Sequence, residues 1–485
     1  MPKIIARKHE LGLFNNTLER TEASFIAIYG RRRIGKTFLV EQYFQDKGLF
    51  FHLLGLEKAT LHQQLVNFAN EFAESFGLGE ALQIPENWYE AFNQLRIAAE
   101  QRRDSAQKTI LFFDEVPWLS SPRSGFLSAL EHCWNRYLSS IPNVILIVCG
   151  SAASWMIKNI IHNQGGLHGR ISDKINLKPF DLHETELFLQ SRGIDLNRKQ
   201  IVDLYLCIGG VAQYLKHVQR GLSSEQNISQ LCFRSNGALY HEFDQLYRSL
   251  FKNHTAHISV VRALAKCRSG LSYHDIANTT GIPSGGGLST LLKELTAADF
   301  ITAITTYEAS HKVTKYRLRD EFTLFYLTWM EKQQSHDILD EDPAFWQKQH
   351  NAPAWHAWSG YAFEGICMKH LPSIKKSLGI SAVQTVSYPW AYHAENRLED
   401  GTEIDVVMDR KDQCIHLFEI KYYDDEFVIT KEYAKKLRHK KQVFLEKTKT
   451  KKAVFMTLIT THGAKRNEYS LELIDQQLTV DDLFD

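Results

Sequence analysis

The 485-residue chain carries 57 Lys+Arg against 56 Asp+Glu, a formal net charge of +1, with 44% hydrophobic and 12% aromatic residues. That length exceeds a single core and points to about three domains, and the balanced charge excludes a uniformly basic or acidic surface. Seven cysteines without C-x-x-C or metal spacing read as reduced thiols in a cytoplasmic protein.

The first residues, Met1 to Glu10, hold no apolar signal region, and no run approaches the ~20 apolar residues of a membrane span. Residues 7–20 have amphipathic helical spacing, with Leu11, Phe14 and Leu18 on one face. Residues 24–29 (Ser-Phe-Ile-Ala-Ile-Tyr) form a short apolar run that predicts a buried strand. Residues 30–37 follow as Gly-Arg-Arg-Arg-Ile-Gly-Lys-Thr and fit G-x-x-x-x-G-K-[ST]. Residues 38–44 then return to helical spacing, so the strand, loop, helix context of a phosphate-binding loop is met. Glycines let the backbone wrap an anion, and successive N–H groups at a helix N-terminus favour negative charge. Lys36 is placed to reach β- and γ-phosphates, and Thr37 to hold Mg²⁺.

A second apolar strand is expected at 49–54, then helices near 60–76 and 86–102. Residues 109–115 (Thr-Ile-Leu-Phe-Phe-Asp-Glu) run apolar into two acids, the Walker B pattern. A buried parallel strand delivers such carboxylates to the sheet edge where ligands bind. Asp114 would act on Mg²⁺, and Glu115 would orient or deprotonate an attacking water. Residues 143–151 form another buried strand ending at Ser151, which reads either as a γ-phosphate sensor or as a helix N-cap. Arg170, in a Gly-rich loop, reads either as an arginine finger acting on transition-state charge, in trans if supplied by a second copy, or as a structural or solvated arginine. Gly30, Arg31, Arg32, Arg33, Ile34, Gly35, Lys36, Thr37 and Phe38, with Asp114 and Ser151, make up the expected nucleotide set.

Further on, helices at 255–267, 271–277 and 288–295 lead into strands 300–304 and 315–318. This order of helices, turn and hairpin matches a winged helix-turn-helix. Its third helix offers only Lys293 as a basic residue, which favours an inter-domain role over DNA binding. His254 and His257 are spaced i,i+3 without a third ligand and read as solvated or capping groups. Residues 319–330 form an aromatic helix, and 333–341 are the linker candidate.

In the last third a helix begins near Trp358. Residues 401–408 and 414–421 form a hairpin with Asp405 on one strand and Glu419 and Lys421 on the other. Residues two apart on a strand share a face, so two carboxylates and a lysine converge. That set suits Mg²⁺ and metal-assisted phosphodiester hydrolysis, with Asp405 and Glu419 as cation ligands. Lys431, Lys435, Lys436, Arg438, Lys440, Lys441, Lys447, Lys449, Lys451 and Lys452 follow, either as a phosphate-attracting stretch or as a solvated helix face. Tyr422, Tyr423, Tyr433 and Phe444 interleave with them, to stack bases or to pack.

The ordered motifs at 30–37, Asp114-Glu115, Gly150-Ser151, Gly169-Arg170 and 177–180 resemble the archaeal-type ATPase family, a branch of the AAA+/STAND superfamily, over residues 1–220 or so. The resemblance implies an adenine-side box at Arg7-x-x-Glu10-Leu11. It also implies a lid box at 209–215, where Ala212 replaces the usual proline. Residues 345–460 resemble the PD-(D/E)xK nuclease superfamily, which implies that Glu364 is its helix acid, Asp405 its hairpin acid and Glu419-x-Lys421 its E-x-K. Ile404 stands where that pattern often has proline.

The expected architecture is α/β. It comprises a P-loop AAA+-type ATPase core at 1–180, a helical lid at 181–250, a winged-helix domain at 251–332 and a restriction-endonuclease-like domain at 345–485. The expected catalytic set is Lys36, Glu115, Arg170, Glu364, Asp405, Glu419 and Lys421, with ATP and Mg²⁺ as cofactors. Nucleic acid, DNA above all, is the expected partner, with no membrane and with homo-oligomers open. Two alternatives stand beside an ATPase–nuclease: a signalling ATPase with a non-catalytic C-terminal domain, and an ATP-dependent DNA-binding regulator.

Overall fold

The computed structural model describes residues 3–77, 83–163, 165–308, 311–334, 345–394 and 400–485. The chain divides into two compact units, residues 1–179 with 293–299, and residues 180–292 with 300–485.

The first unit is built on a five-stranded sheet with spatial order β2-β3-β4-β1-β5. Its strands are β1 (Ser24–Tyr29), β2 (Gly48–Leu54), β3 (Lys108–Asp114), β4 (Val144–Gly150) and β5 (Asp173–Asn176), all paired in parallel. The three central strands, β3, β4 and β1, bury nearly every residue. Their alternation splits the core in two. Phe25, Ala27, Leu111, Phe113, Leu146 and Val148 pack on one face. Ile26, Ile28, Ile110, Phe112, Ile145 and Ile147 pack on the other. Both faces are covered, so the strands read as continuous apolar runs rather than an alternation. The helix Leu61–Phe76 starts at a Thr60–Gln63 capping box, and Trp88–Glu100 starts at Asn87, each satisfying backbone N–H groups that a helix start leaves open.

The second unit contains an eight-stranded sheet ordered β13-β12-β11-β10-β9-β7-β8-β6. Its strands are β6 (Leu271–Ser272), β7 (Ile301–Glu308), β8 (His311–Leu318), β9 (Thr385–Tyr392), β10 (Thr402–Arg410), β11 (Cys414–Lys421), β12 (Ala453–Thr460) and β13 (Gln476–Thr479). The expected hairpins β7–β8 and β10–β11 both form, antiparallel. A parallel bridge between Tyr307 and Trp390 joins them into one sheet, so the hairpin module and the C-terminal third do not form separate sheets. Leu271 and Ser272, expected to open a helix, instead pair with β8 before Ser272 caps the helix Tyr273–Thr280. The aromatic helix is interrupted by a π-turn at Tyr326–Met330. The helix expected from Trp358 starts earlier, at Pro353, and runs to Lys369. Of the linker candidate, residues 335–341 lie outside the described residues.

Polar ties fasten the C-terminal third to the helices Leu182–Ser191 and Arg198–Ile208 and to the hairpin module. Tyr422 donates its hydroxyl to buried Asp203 at 2.8 Å, and Asp203 pairs with Lys199 at 2.9 Å. Lys369 pairs with Glu321. His370 accepts the Leu182 N–H at its Nε2, 3.0 Å away, while its Nδ1 lies 2.8 Å from Ile366 O, a geometry that calls for the Nδ1–H tautomer. Gly210, in the box at 209–215, lies so close to Phe180 that a Cβ would fall 1.8 Å from its carbonyl oxygen, and Phe180 N donates to Gly210 O at 2.7 Å. That box is a packing joint within this unit.

None of the seven cysteines is in a disulfide, and no described helix is long and apolar enough to cross a membrane. His257 stacks on Phe251 at 3.9 Å with its Nδ1 on Asn253 O, a capping and packing role.

Candidate functional site

Two clusters hold the predicted site residues. The first lies at the C-terminal ends of β1, β3 and β4. The chain leaves β1 at Gly30, whose φ of +148° and 2.2 Å clearance to Leu177 O exclude any side chain. Gly35, at φ +91°, turns the loop into the helix Lys36–Phe44. Lys36 is buried and its ammonium donates to the carbonyls of Gly30 and Arg31 at 3.0 and 2.9 Å. The loop thus cradles its own cation where phosphate oxygens would compete for it. Thr37 Oγ1 meets Asp114 Oδ2 at 2.5 Å, and the other carboxylate oxygen of Asp114 accepts the Glu115 N–H at 2.8 Å. Arg31 and Ile34 are buried in the loop. Arg33 takes a left-handed φ of +71°, and the Arg32 guanidinium lies over Trp118 at 5.3 Å. Phe38 stands apart, its ring 39% exposed.

Glu115 has φ +47° and ψ +50°, a left-handed conformation at the start of the short helix Val116–Leu119. Such a conformation costs a non-glycine residue of order 1–3 kcal/mol. It turns the carboxylate toward β4, where Oε2 accepts both the N–H and the hydroxyl of Ser151 at 3.0 and 2.9 Å. The N-cap reading of Ser151 is corrected. The cap position falls on Ala152, without a side-chain bond, and the Ser151 hydroxyl instead donates to the Glu115 carboxylate. Arg170 remains outside this cluster, its side chain exposed and its N–H closing a turn onto Leu167 O.

Thr37 and Asp114 are hard oxygen donors brought side by side, and this set fits Mg²⁺. Arg7 reaches the same loop, its guanidinium 3.4 Å from Ile34 O and 3.9 Å from Glu10.

The second cluster lies in the second unit. The β9–β10 register slips by one residue between Ile404 and Val407, a bulge that re-aims the side chains it contains. Asp405 and Val406 lie in it. Continuing the Val406–Phe418 register sets Asp405 opposite Glu419, and Asp405 Oδ2 accepts the Ile420 N–H at 2.7 Å. Glu419 is buried. Lys421 reaches one carboxylate oxygen at 2.8 Å and Lys440 the other at 2.7 Å, and Tyr433 donates its hydroxyl to the first. Glu364 comes from the helix Pro353–Lys369. Burial and the charge of Asp405 push its carboxyl up to about 8. Burial and Glu419 push Asp405 up to about 6. Burial also raises Glu419, but Lys421 and Lys440 outweigh it and hold this carboxyl below its usual range.

The structure therefore brings Glu364, Asp405, Glu419 and Lys421 together. Among the described residues no group of three His, Cys, Asp or Glu side chains forms a ready metal cage. Asp405 and Glu419 nevertheless supply hard oxygen donors whose acids crowd one another, a set that fits one divalent cation.

Sequence reasoning placed Lys440 and Tyr433 in the basic stretch and its interleaved aromatics rather than in this site. Tyr433, Leu437, Lys440 and Phe444 are spaced 4-3-4 on the helix Lys431–Thr448, the spacing of one helical face. Leu437 and Phe444 are buried there. A lysine in an apolar stripe was the available signal. Three residues of the remaining basic stretch lie in ion pairs. Arg438 binds Glu472, Lys452 binds Asp409 and Lys441 lies 3.8 Å from Asp475. Tyr422 and Phe444 are buried and pack rather than stack on a ligand.

Residues 5–218 match a family described as an ATPase domain predominantly from Archaea. An uncharacterised protein of Methanocaldococcus jannaschii is 25% identical over 329 residues, 67% of this chain and 68% of its own length. Among solved structures, a Walker-type ATPase of Pyrococcus abyssi aligns with a TM-score of 0.46 at 18% identity, covering 67% of this chain and 96% of that one. The ORC2 protein of Aeropyrum pernix, solved in ADPNP–ADP complexes, aligns with a TM-score of 0.42 at 15% identity, covering 69% and 96%. Residues 5–218 are thus similar to an ATPase domain family, and the first unit carries the parallel α/β sheet described above.

Proposed function

We propose that this chain binds and hydrolyses ATP and uses that cycle to control a cation-dependent nuclease-like site acting on nucleic acid, DNA in the first instance. The observation that carries the reading is the convergence of Glu364, Asp405, Glu419 and Lys421 in a chain whose other end is an ATPase domain.

At the nucleotide site Lys36 would leave its loop carbonyls for the β- and γ-phosphates, and Mg²⁺ would be held by Thr37 and Asp114. Bound there, the cation neutralises phosphate charge. Glu115 would orient the attacking water once Ser151 releases it or shares it with a γ-phosphate. An arginine from a second copy, with Arg170 as the candidate, would complete the site in an oligomer. At the second site Asp405 and Glu419 would hold a divalent cation, which supplies charge stabilisation to a phosphodiester. Lys421 would orient the attacking water, and Glu364 would hold or deliver a proton. The helices from His254 to Ala297 with β7 and β8 follow a winged-helix order, and the scarcity of basic residues on the helix Gly286–Ala297 favours an architectural role.

A second reading has a specific observation behind it. Both oxygens of Glu419 already have cationic partners, as in a binding module whose former active site is locked by ion pairs. The chain would then be an ATP-gated signalling protein. The two readings separate on one experiment: cleavage of single- and double-stranded DNA and RNA with Mg²⁺ or Mn²⁺, with and without ATP, comparing wild type with Glu419→Ala and Asp405→Ala. Cleavage lost in both variants supports the nuclease. ATP turnover that disappears in Lys36→Ala, with no cleavage of any substrate by wild type, gives the signalling reading.

A further inference from the structure

Two arginines of the hairpin module have no role in the chemistry above. Arg317 lies on β8 and Arg268 in the turn region before β6. Both guanidiniums sit over one ring, that of Tyr361, at 5.1 Å for Arg268 and 5.5 Å for Arg317. Among the described residues neither makes a hydrogen bond or an ion pair. The ring face attracts each cation, and it holds the two charges within about 11 Å of one another. A stacked guanidinium keeps its N–H edge available, and that edge matches phosphate oxygens.

Tyr361 is one helical turn before Glu364, on the same face of the helix Pro353–Lys369. The charge of Arg317 acts on Glu364 directly, lowering its proton affinity against burial. Beside the pair opens a cavity of about 140 Å³, lined by Arg317 and Tyr361, by apolar groups such as Leu206, Ile304, Ala362 and Gly365, and by charged ones that include Asp320 and the paired Glu321 and Lys369. A cavity of about 150 Å³ with apolar walls accommodates benzene, so a single-ring base fits this one by volume. Unstacked bases of single strands are bound in this way, with the backbone on cations and the base against apolar or aromatic groups.

We infer that Arg268, Arg317, Tyr361 and the adjoining cavity form a nucleotide subsite for single-stranded DNA, with a phosphate between the two arginines and a base in the cavity, beside the carboxylate cluster. The inference rests on the nucleic-acid reading of that cluster, and it adds that the hairpin module helps to bind the strand. The scarcity of basic residues on the third helix of that module is then no obstacle, because the contact is made from β8 and the turn before β6.

The test is fluorescence anisotropy of the full chain with a labelled oligodeoxythymidylate of about ten nucleotides, without added divalent cation. Arg268→Gln/Arg317→Gln is expected to weaken binding by at least about tenfold. It should also reduce the slope of log K against log salt by about 1.4, the value for two phosphate contacts on a single strand. The Lys/Lys counterpart is expected to keep the salt slope. Gly365→Leu fills the cavity without removing charge, since nothing lies within 4 Å of a Cβ there. It is expected to weaken the oligonucleotide while leaving inorganic pyrophosphate binding unchanged. Unchanged affinity and slope in the Gln/Gln variant, with thermal unfolding like wild type, overturns the inference. Equal loss for oligonucleotide and pyrophosphate in Gly365→Leu overturns the placement of the base. Loss of cleavage in Glu419→Ala with binding intact bears on the nuclease reading alone. Binding that depends on the arginines in a chain that cleaves nothing keeps the subsite and removes the nuclease.

Discussion

The two clusters solve opposite electrostatic problems. The phosphate-binding loop must receive an anion, and its cation, Lys36, is held only by neutral carbonyls. Exchanging them for phosphate costs no buried ion pair. On the proposed reading the carboxylate cluster receives a cation, yet its most buried acid, Glu419, is matched by Lys421 and Lys440. A cation arriving there competes with two ammonium groups. The first site is built from a contiguous strand, loop and helix plus two neighbouring strand ends. The second needs a helix, a bulged hairpin and a second helix spread over some eighty residues. Under the proposed function the first site would load by simple exchange, whereas loading of the second would require Lys440 to yield.

The largest effect that could break this contrast is on Glu115, the carboxylate proposed to orient water. Glu115→Gln is expected to lower ATP turnover by roughly 10²–10⁴-fold with nucleotide affinity retained, measured by phosphate release and by binding of a labelled nucleotide. Turnover within a few fold of wild type removes Glu115 from the chemistry. Lys440→Ala should then sharpen the comparison. Leaving buried Glu419 with one fewer cation costs on the order of 1–3 kcal/mol of stability, read from urea unfolding. Mn²⁺ added at millimolar concentration should restore part of that loss in the variant and less in wild type, if a cation can take the place of the ammonium.

A smaller effect concerns the tie at Asp203. Burial holds this carboxyl up to about 6 against lowering by Lys199 and Tyr422, with Asp424 raising it further. Because its folded value lies above the unfolded 3.8, the folded state binds the proton more tightly. The stabilisation is complete below pH 3.8 and is lost as pH rises through about 6, by on the order of 2–3 kcal/mol. Asp203→Asn should flatten the urea midpoint across that window, and an unchanged pH slope in the variant would place the titration elsewhere. The smallest expected effect is Ser151→Ala. It releases Glu115 from one of two hydrogen bonds and should change basal turnover by less than tenfold, in either direction.

How much of this was legible depended on how local each device is. The strands at 24–29, 109–115 and 143–151 were readable because burial on both faces writes itself as an unbroken apolar run. The loop at 30–37 was readable because its glycines and lysine are consecutive. The left-handed turn at Glu115 left no mark in the sequence, since glutamate is an uncommon residue for it. The bulge at Asp405 was hidden too. It lets Ile404, Val406 and Val407 all be buried around one acid, which breaks the period-two pattern on which strand reading rests. The bridge from Tyr307 to Trp390 joins residues more than eighty apart, and no local spacing encodes it. Ser151 was ambiguous because the same hydroxyl suits a cap or a carboxylate, and only the position of Glu115 decides between them.

The backbone at Glu115 carries a consequence for how this protein would drift under selection. A residue held there against its own preference is one that glycine or asparagine would occupy more comfortably. The exchanges Glu115→Gly and Glu115→Asn therefore trade the proposed water activation for a sturdier fold. In a library selected only for surviving heat, both would be enriched. A lineage freed from the need for turnover would leave its trace first at this one backbone angle.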